Sequence, residues 1–279
     1  VQYDEQSELY QLTLKQQNNK IVFCKQLVFA TGPFTDEILG KLNLFTWKPV
    51  LLPSKGIHLW LDIEAIKLDG PMVMQTIDDR VIFVIPQKRG ILVGTTETKV
   101  KEPFFDQTAN TDEINYVLQC LNLYFPKANV TTKNILSTFA GIRPLVSEGG
   151  GDLGKTSREH KIFRPHKNTY VVVGGKYTTF RVMTEEIARE ITLKANKSYN
   201  PLLSSTKLIA NAVEKLNRPT RLDLEQILKN ESPKCFADLV IRRLSIPGKK
   251  HWNFSPSFDD FFTEYLPVSY THLTLPTNR

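Results

Sequence analysis

A chain of 279 residues, 41% hydrophobic and 23% charged, has room for a proper core and two domains. No apolar run approaches the ~20 residues of a membrane-spanning helix. The +7 net charge is spread out, with no basic run or reader motif to support nucleic-acid binding. Cys24, Cys120 and Cys235 form no CxxC, and no HExxH or GxSxG occurs, so disulfide, metal and serine-hydrolase chemistry find no support. A reducing cytoplasm is the expected setting. The opening Val1-Gln2-Tyr3 has no initiator methionine and no signal segment, as expected of a fragment.

Residues 9–14 and 21–29 read as two strands joined by the turn residues Asn18 and Asn19. The second strand ends in Ala30-Thr31-Gly32-Pro33 before a short helical pattern, the way a doubly wound sheet brings backbone close to a dinucleotide. Ser54-Lys55-Gly56 reads as a turn into a strand that alternates Ile57, Leu59 and Leu61 against His58 and Trp60. Residues 72–77, 81–85 and 91–97 are three more strands joined by short turns, hence an antiparallel sheet. Residues 112–124 predict an amphipathic helix stopped by Pro126.

Residues 135–142 lead into Arg143-Pro144, and a glycine-rich loop, 149–151, separates them from Arg158 and His160. The two arginines, set on either side of that loop, could grip one anion through their guanidinium forks. Three valines, 171–173, then run into Gly174-Gly175-Lys176-Tyr177-Thr178-Thr179 and a helix. A strand, a glycine turn and a helix start backed by Lys176 favour negative charge, with Thr178 or Thr179 as the cap. Beyond residue 195 the pattern is helical, and 268–279 fits nothing before it.

Six stretches in register carry a resemblance: 28–34, 53–58, 83–86 with 94–97, 140–145, 157–160 and 174–181. Together they resemble the FAD-dependent, respiratory glycerol-3-phosphate dehydrogenases of the D-amino-acid-oxidase-like flavoenzymes. The resemblance implies an α/β (α+β) fold: an incomplete Rossmann-like FAD domain at 1–48 and 139–195, interleaved with an antiparallel-sheet substrate domain at 49–138. A helical domain at 196–267 and a non-native tail at 268–279 would complete the chain. It also implies oxidation of sn-glycerol 3-phosphate to dihydroxyacetone phosphate, with electrons passing through FAD to a membrane quinone. The expected location is the cytoplasmic face of the inner membrane, held peripherally, with a homodimer as the assembly.

Carried over position by position, Arg143 and Arg158 match phosphate-binding arginines, while His58 and Thr95 match positions lining the substrate site. Ala30, Thr31 and Gly32 match a flavin-side loop. Gly174, Gly175, Lys176, Tyr177, Thr178 and Thr179 match the loop under the flavin ring, with Lys176 also facing substrate. His58 and His160 are the candidate bases, histidine being the side chain whose ordinary pKa lies nearest neutrality. No strand–GxGxxG–helix unit opens the chain, so as given it is expected to hold FAD poorly and to be inactive alone. The competing expectations are a related flavin oxidase that uses oxygen, and an inactive module.

Overall fold

The computed structural model describes residues 1–15, 18–87, 90–101, 103, 106–147, 159–206 and 227–231. The chain forms two compact units. The first holds Val1–Ile57, Thr95–Asn110 and Phe139–Lys207; the second holds His58–Gly94, Thr111–Thr138 and the residues from 208 onward.

In the first unit β1 (Gln2–Asp4), β2 (Leu9–Leu14) and β3 (Lys20–Cys24) make an antiparallel sheet. Asn18 and Asn19 turn the β2–β3 hairpin at φ of 52° and 57°, a conformation asparagine tolerates better than most residues. Residues 21–29 are not the single strand that their apolar pattern predicts. The chain breaks at Lys25-Gln26, and β4 (Leu27–Phe29) joins another sheet, parallel to β12 (Thr169–Gly174) and flanked on β12's far side by β11 (His160–Phe163). Period-2 patterning records which residues face a core but not which sheet they enter.

Leu27, Phe29, Val171 and Val173 from this sheet share a core with Tyr10, Leu39, Leu51 and Val146. Burying one such aliphatic side chain is worth about 1.5–3 kcal/mol, whereas an exposed pair such as Lys41–Glu37 contributes about 0–1 kcal/mol. The core therefore sets the stability of this unit.

Two buried polar hubs fix its loops. The Asp36 carboxylate, in the first turn of α1 (Thr35–Lys41), accepts from Trp47 Nε1 at 2.9 Å and from the backbone N–H groups of Val50 and Leu51 at 3.0 and 2.8 Å. The wholly buried Tyr10 hydroxyl meets His166 Nδ1 at 2.9 Å, Thr169 Oγ1 at 2.6 Å and the Lys167 carbonyl. Burial pushes its pKa up. Because the hydroxyl's one proton goes to the carbonyl, which can only accept, His166 Nδ1 must be the donor in its own contact.

The helix α3 (Phe180–Lys194) is clipped to the β11 side by two polar side-chain pairs one helical turn apart. His160 Nε2 lies 3.0 Å from Glu186 Oε2, and Arg164 Nε donates to both Glu190 oxygens at 3.0 and 2.8 Å. Arg164's hydrogen bonds hold the Glu190 carboxyl below its ordinary pKa, against a smaller opposing effect of burial. A carboxylate depressed in the fold stabilises it above the unfolded pKa, about 4.3, and that stability is lost as pH falls through the folded value. Thermal melts should therefore drop between about pH 5 and pH 3, and Glu190→Gln should flatten that slope. An unchanged slope would remove Glu190 from the account. The slope will be shallow, since the pair meets solvent.

In the second unit β6 (Met72–Gln75), β7 (Val81–Gln87), β8 (Gly90–Gly94) and the end of β5 (Leu51–Leu61) pair antiparallel in that order. The alternation expected of β5 holds: Ile57, Leu59 and Leu61 are wholly buried, while His58 and Trp60 are half-buried. The helix α2 (Thr111–Tyr124) buries Val117, Leu118, Cys120 and Leu121. Its Tyr116 donates to Asp78, which also accepts from Thr76 and Arg80. Burial works to raise the Asp78 carboxyl, but these three donors outweigh it and hold it well below the carboxylate range. Among the described residues the remaining strands are a short β9 (Thr98–Lys99), in the first unit, and the long β10 (Ile135–Val146), which runs from the second unit into the first. Among the described residues no helix is long and apolar enough to cross a membrane. Of the expected helical domain at 196–267, residues 196–206, which include α4 (Leu202–Ser205), and 227–231 are described; the tail 268–279 lies outside the described residues.

Candidate active site

Two glycine turns stand side by side at the carboxyl ends of neighbouring parallel strands. The last matched pair of the β4–β12 ladder is Phe29 and Val171, and three residues beyond each come Gly32 and Gly174. Gly32, Gly174 and Gly175 have φ of 56°, 74° and 76°, the left-handed region where a side chain is strained. After each turn comes one turn of 3-10 helix, Gly32–Phe34 or Tyr177–Thr179, and then α1 or α3. This is where open α/β sheets bind ligands: at strand carboxyl ends, before helix N-termini.

The Gly32 turn is locked by the buried Thr35, whose hydroxyl donates to the Gly32 carbonyl at 2.8 Å and meets Thr31 Oγ1 at 2.9 Å. A Cβ on Gly32 would meet nothing within 4 Å, so the turn borders open space; Ala30 beside it is exposed. At the second turn, a Cβ on Gly174 would lie 2.5 Å from the Glu159 carbonyl oxygen and 2.9 Å from Val146, and one on Gly175 would lie 2.5 Å from Met183 Sδ. Thr179 does not cap α3 as expected. Its hydroxyl turns back to the Lys176 carbonyl at 3.0 Å while accepting from the Lys176 N–H, a local bond that competes with capping. Lys176, Tyr177 and Thr178 are exposed, Tyr177 at 92%.

A second constellation lies on β5, β10 and the Thr95-Thr96 loop ahead of β9, in the same unit. Ser54-Lys55-Gly56 is not a turn but part of β5. The reason for glycine is Arg143: a Cβ on Gly56 would lie 2.2 Å from Arg143 Nη2. The guanidinium fills that space, donating from Nη2 to Thr95 Oγ1 at 2.7 Å and from Nη1 to the Thr96 carbonyl at 3.2 Å. Thr96 Oγ1 accepts from the Ile57 N–H at 3.1 Å, which fastens the Thr95-Thr96 loop to the strand under the arginine. Three residues along β10 from Arg143, about 10 Å, Val146 reaches the Gly174 turn.

The structure therefore joins Arg143 to Thr95, and His160 to the glycine turn: His160 pairs with Gly174 and has its Cβ 3.3 Å from where a Gly175 Cβ would be. His58 sits in the second unit, opposite Gly94 in the β5–β8 ladder. Arg158 and the 149–151 loop lie outside the described residues. Gly149, Gly151 and Gly154 there also carry GxGxxG spacing. Sequence reasoning missed Thr35, Thr96, Met183 and Glu186 as supports. Each acts across a sequence gap or through backbone, where motif spacing leaves no mark.

The family whose description is FAD dependent oxidoreductase matches residues 4–199 of this chain. The chain belongs to that family. Aerobic glycerol-3-phosphate dehydrogenase from Bacillus subtilis is 36% identical over 166 residues, covering 60% of this chain and 30% of that protein. The protein of the same name from Staphylococcus aureus strain USA300 is 31% identical over 182 residues, covering 65% and 32%. The X-ray structure of glycerol-3-phosphate dehydrogenase from Bacillus halodurans, complexed with FAD, superposes with a TM-score of 0.58 at 26% identity. It covers 68% of this chain and 36% of that one. The chain thus spans about a third of the length of these relatives.

As a member of the FAD-dependent oxidoreductase family, the chain can be tested for fit to FAD. The paired positive-φ turns Gly32 and Gly174-Gly175 keep side chains out of a strand-end crevice, and the open space at Gly32 is the kind of cradle a Cβ would fill. With Lys176 just ahead of the turn that leads into α3, these residues fit a bound cofactor and favour negative charge there.

Proposed function

We propose that this protein oxidises sn-glycerol 3-phosphate to dihydroxyacetone phosphate with FAD. The observation that carries the reading is Arg143, held over Gly56 by Thr95 and Thr96 in a strand that reaches the Gly174 turn. The names of the Bacillus and Staphylococcus relatives support the same substrate.

A phosphate monoester suits Arg143 because the planar guanidinium fork meets two phosphate oxygens at once. Thr95 Oγ1 and the Thr96 carbonyl hold the fork in place beforehand, so little side-chain freedom is left to lose on binding. Anchoring the phosphate orients the neighbouring carbinol, using binding energy remote from the reacting bond. Oxidation removes a hydride from the carbinol carbon and a proton from its hydroxyl. FAD, when bound, takes the hydride. His58 and His160 stand as the two candidates to take the proton, and Arg158 as a second phosphate ligand. Lys176 and the N-terminus of α3 supply positive potential at the Gly174-Gly175 turn.

The resemblance carries the reading to a quinone acceptor, peripheral attachment at the cytoplasmic face of the membrane, and a homodimer. Turnover of the FAD-loaded protein with glycerol 3-phosphate should be fast with a quinone analogue and slow with oxygen alone. Equal rates with oxygen alone would make it an oxidase. A preparation spanning the full length of the relatives that still cannot be loaded with flavin would sink the reading.

A further inference from the structure

Arg143 is not alone on its face of the sheet. Side chains alternate along β5, so Ser54 points to the same side as the Gly56 position where the guanidinium sits. Ser54 is paired with Lys99 of β9, and directly opposed residues share a face, whereas Lys55 and Thr98 point the other way. One face thus carries a guanidinium, a hydroxyl about 7 Å along the strand, and, opposite that hydroxyl in the ladder, the exposed residue Lys99.

The hydroxyl has a further peculiarity. Ser54 is wholly buried, and its Oγ has no hydrogen-bond partner among the described residues. Lys55 next to it, also buried, spends its ammonium on the Thr108 carbonyl at 3.1 Å on the other side. Buried polar atoms are nearly always satisfied, and an unsatisfied one on the face that carries Arg143 and Lys99 marks a place for an external acceptor.

We infer that Ser54 and Lys99 are the second half of the anion site begun by Arg143. They bind the phosphate of a phosphorylated substrate through oxygens that Arg143 does not reach. The inference rests on the reading of Arg143 as an anion-binding residue. Lys99 contributes charge as a point donor and Ser54 an O–H, so the site suits a dianionic phosphate monoester better than a carboxylate, which lacks the third oxygen.

The test uses the FAD-loaded protein and its Ser54→Ala, Lys99→Gln, Lys99→Arg and Arg143→Ala variants. Inorganic phosphate binding is measured by calorimetry, and KM and kcat with glycerol 3-phosphate are measured beside it. Ser54→Ala and Lys99→Gln should each weaken phosphate binding and raise KM by about tenfold, with kcat within about twofold. Lys99→Arg should recover most of the loss. Ser54→Ala should melt no lower than the parent, because it removes an unsatisfied group. Unchanged phosphate binding in both variants, while Arg143→Ala loses it, overturns the inference and leaves the proposed function standing. Phosphate binding lost in all three without any turnover of glycerol 3-phosphate upholds the site and sinks the substrate.

Discussion

Arg143→Ala in the FAD-loaded protein should raise KM for glycerol 3-phosphate by about a hundredfold, with a far smaller effect on kcat and on the melting temperature. Two charge-assisted hydrogen bonds to one phosphate are each worth about 1.5–3 kcal/mol, and their partial loss to water leaves roughly the stated factor. The fold should survive, because the guanidinium's described partners, Thr95 Oγ1 and the Thr96 carbonyl, can turn to water when it is gone. Gly56→Ala gives the same prediction from the other side. Its Cβ would lie 2.2 Å from Nη2, but a guanidinium is the far end of a flexible side chain and can move away. The variant should therefore keep its stability and lose substrate affinity, an outcome that a merely structural glycine would not give. A KM unchanged in Arg143→Ala would remove the phosphate role altogether.

The case of Gly56 shows how far the sequence could be read. Its neighbourhood, Pro53 to His58, stood out as a motif, and the alternation of Ile57, Leu59 and Leu61 was legible because burial on one face leaves period-2 patterning. What the glycine was for was not legible. Its reason lies 87 positions on, in Arg143, and a missing Cβ looks the same in a turn as under a guanidinium. The break at Lys25-Gln26 escaped for a related cause: both halves of 21–29 are apolar, and only their partners, β2 and β12, tell them apart. The two glycine turns were readable because they are local. Strand, glycine and helix start follow one another in the chain, at Gly32 and again at Gly174. Their juxtaposition needed the parallel β4–β12 ladder, which joins segments about 140 residues apart and which neither segment encodes alone.

The largest loss of stability is expected from Gly174→Ala. Two penalties fall on that residue. At φ of 74° an alanine sits in the left-handed region, at a cost of about 1–2 kcal/mol. Its Cβ would also lie 2.5 Å from the Glu159 carbonyl oxygen, next to the His160–Gly174 pair, and backbone cannot yield there as a side chain can. Together these should cost about 2–4 kcal/mol and push β11 off β12 at His160. Gly175→Ala bears a similar backbone strain at φ of 76°, but its clash is with Met183 Sδ at 2.5 Å, the end of a flexible side chain. It should melt above Gly174→Ala, and adding Met183→Ala should recover the steric part but not the backbone part. Melting curves rank the three proteins, and visible flavin absorbance after gel filtration reports whether the turn still holds its cofactor. A Gly174→Ala protein that melts with the parent would mean that β11 yields freely at Glu159. The turn would then be soft, and a soft turn cannot be what positions the flavin ring.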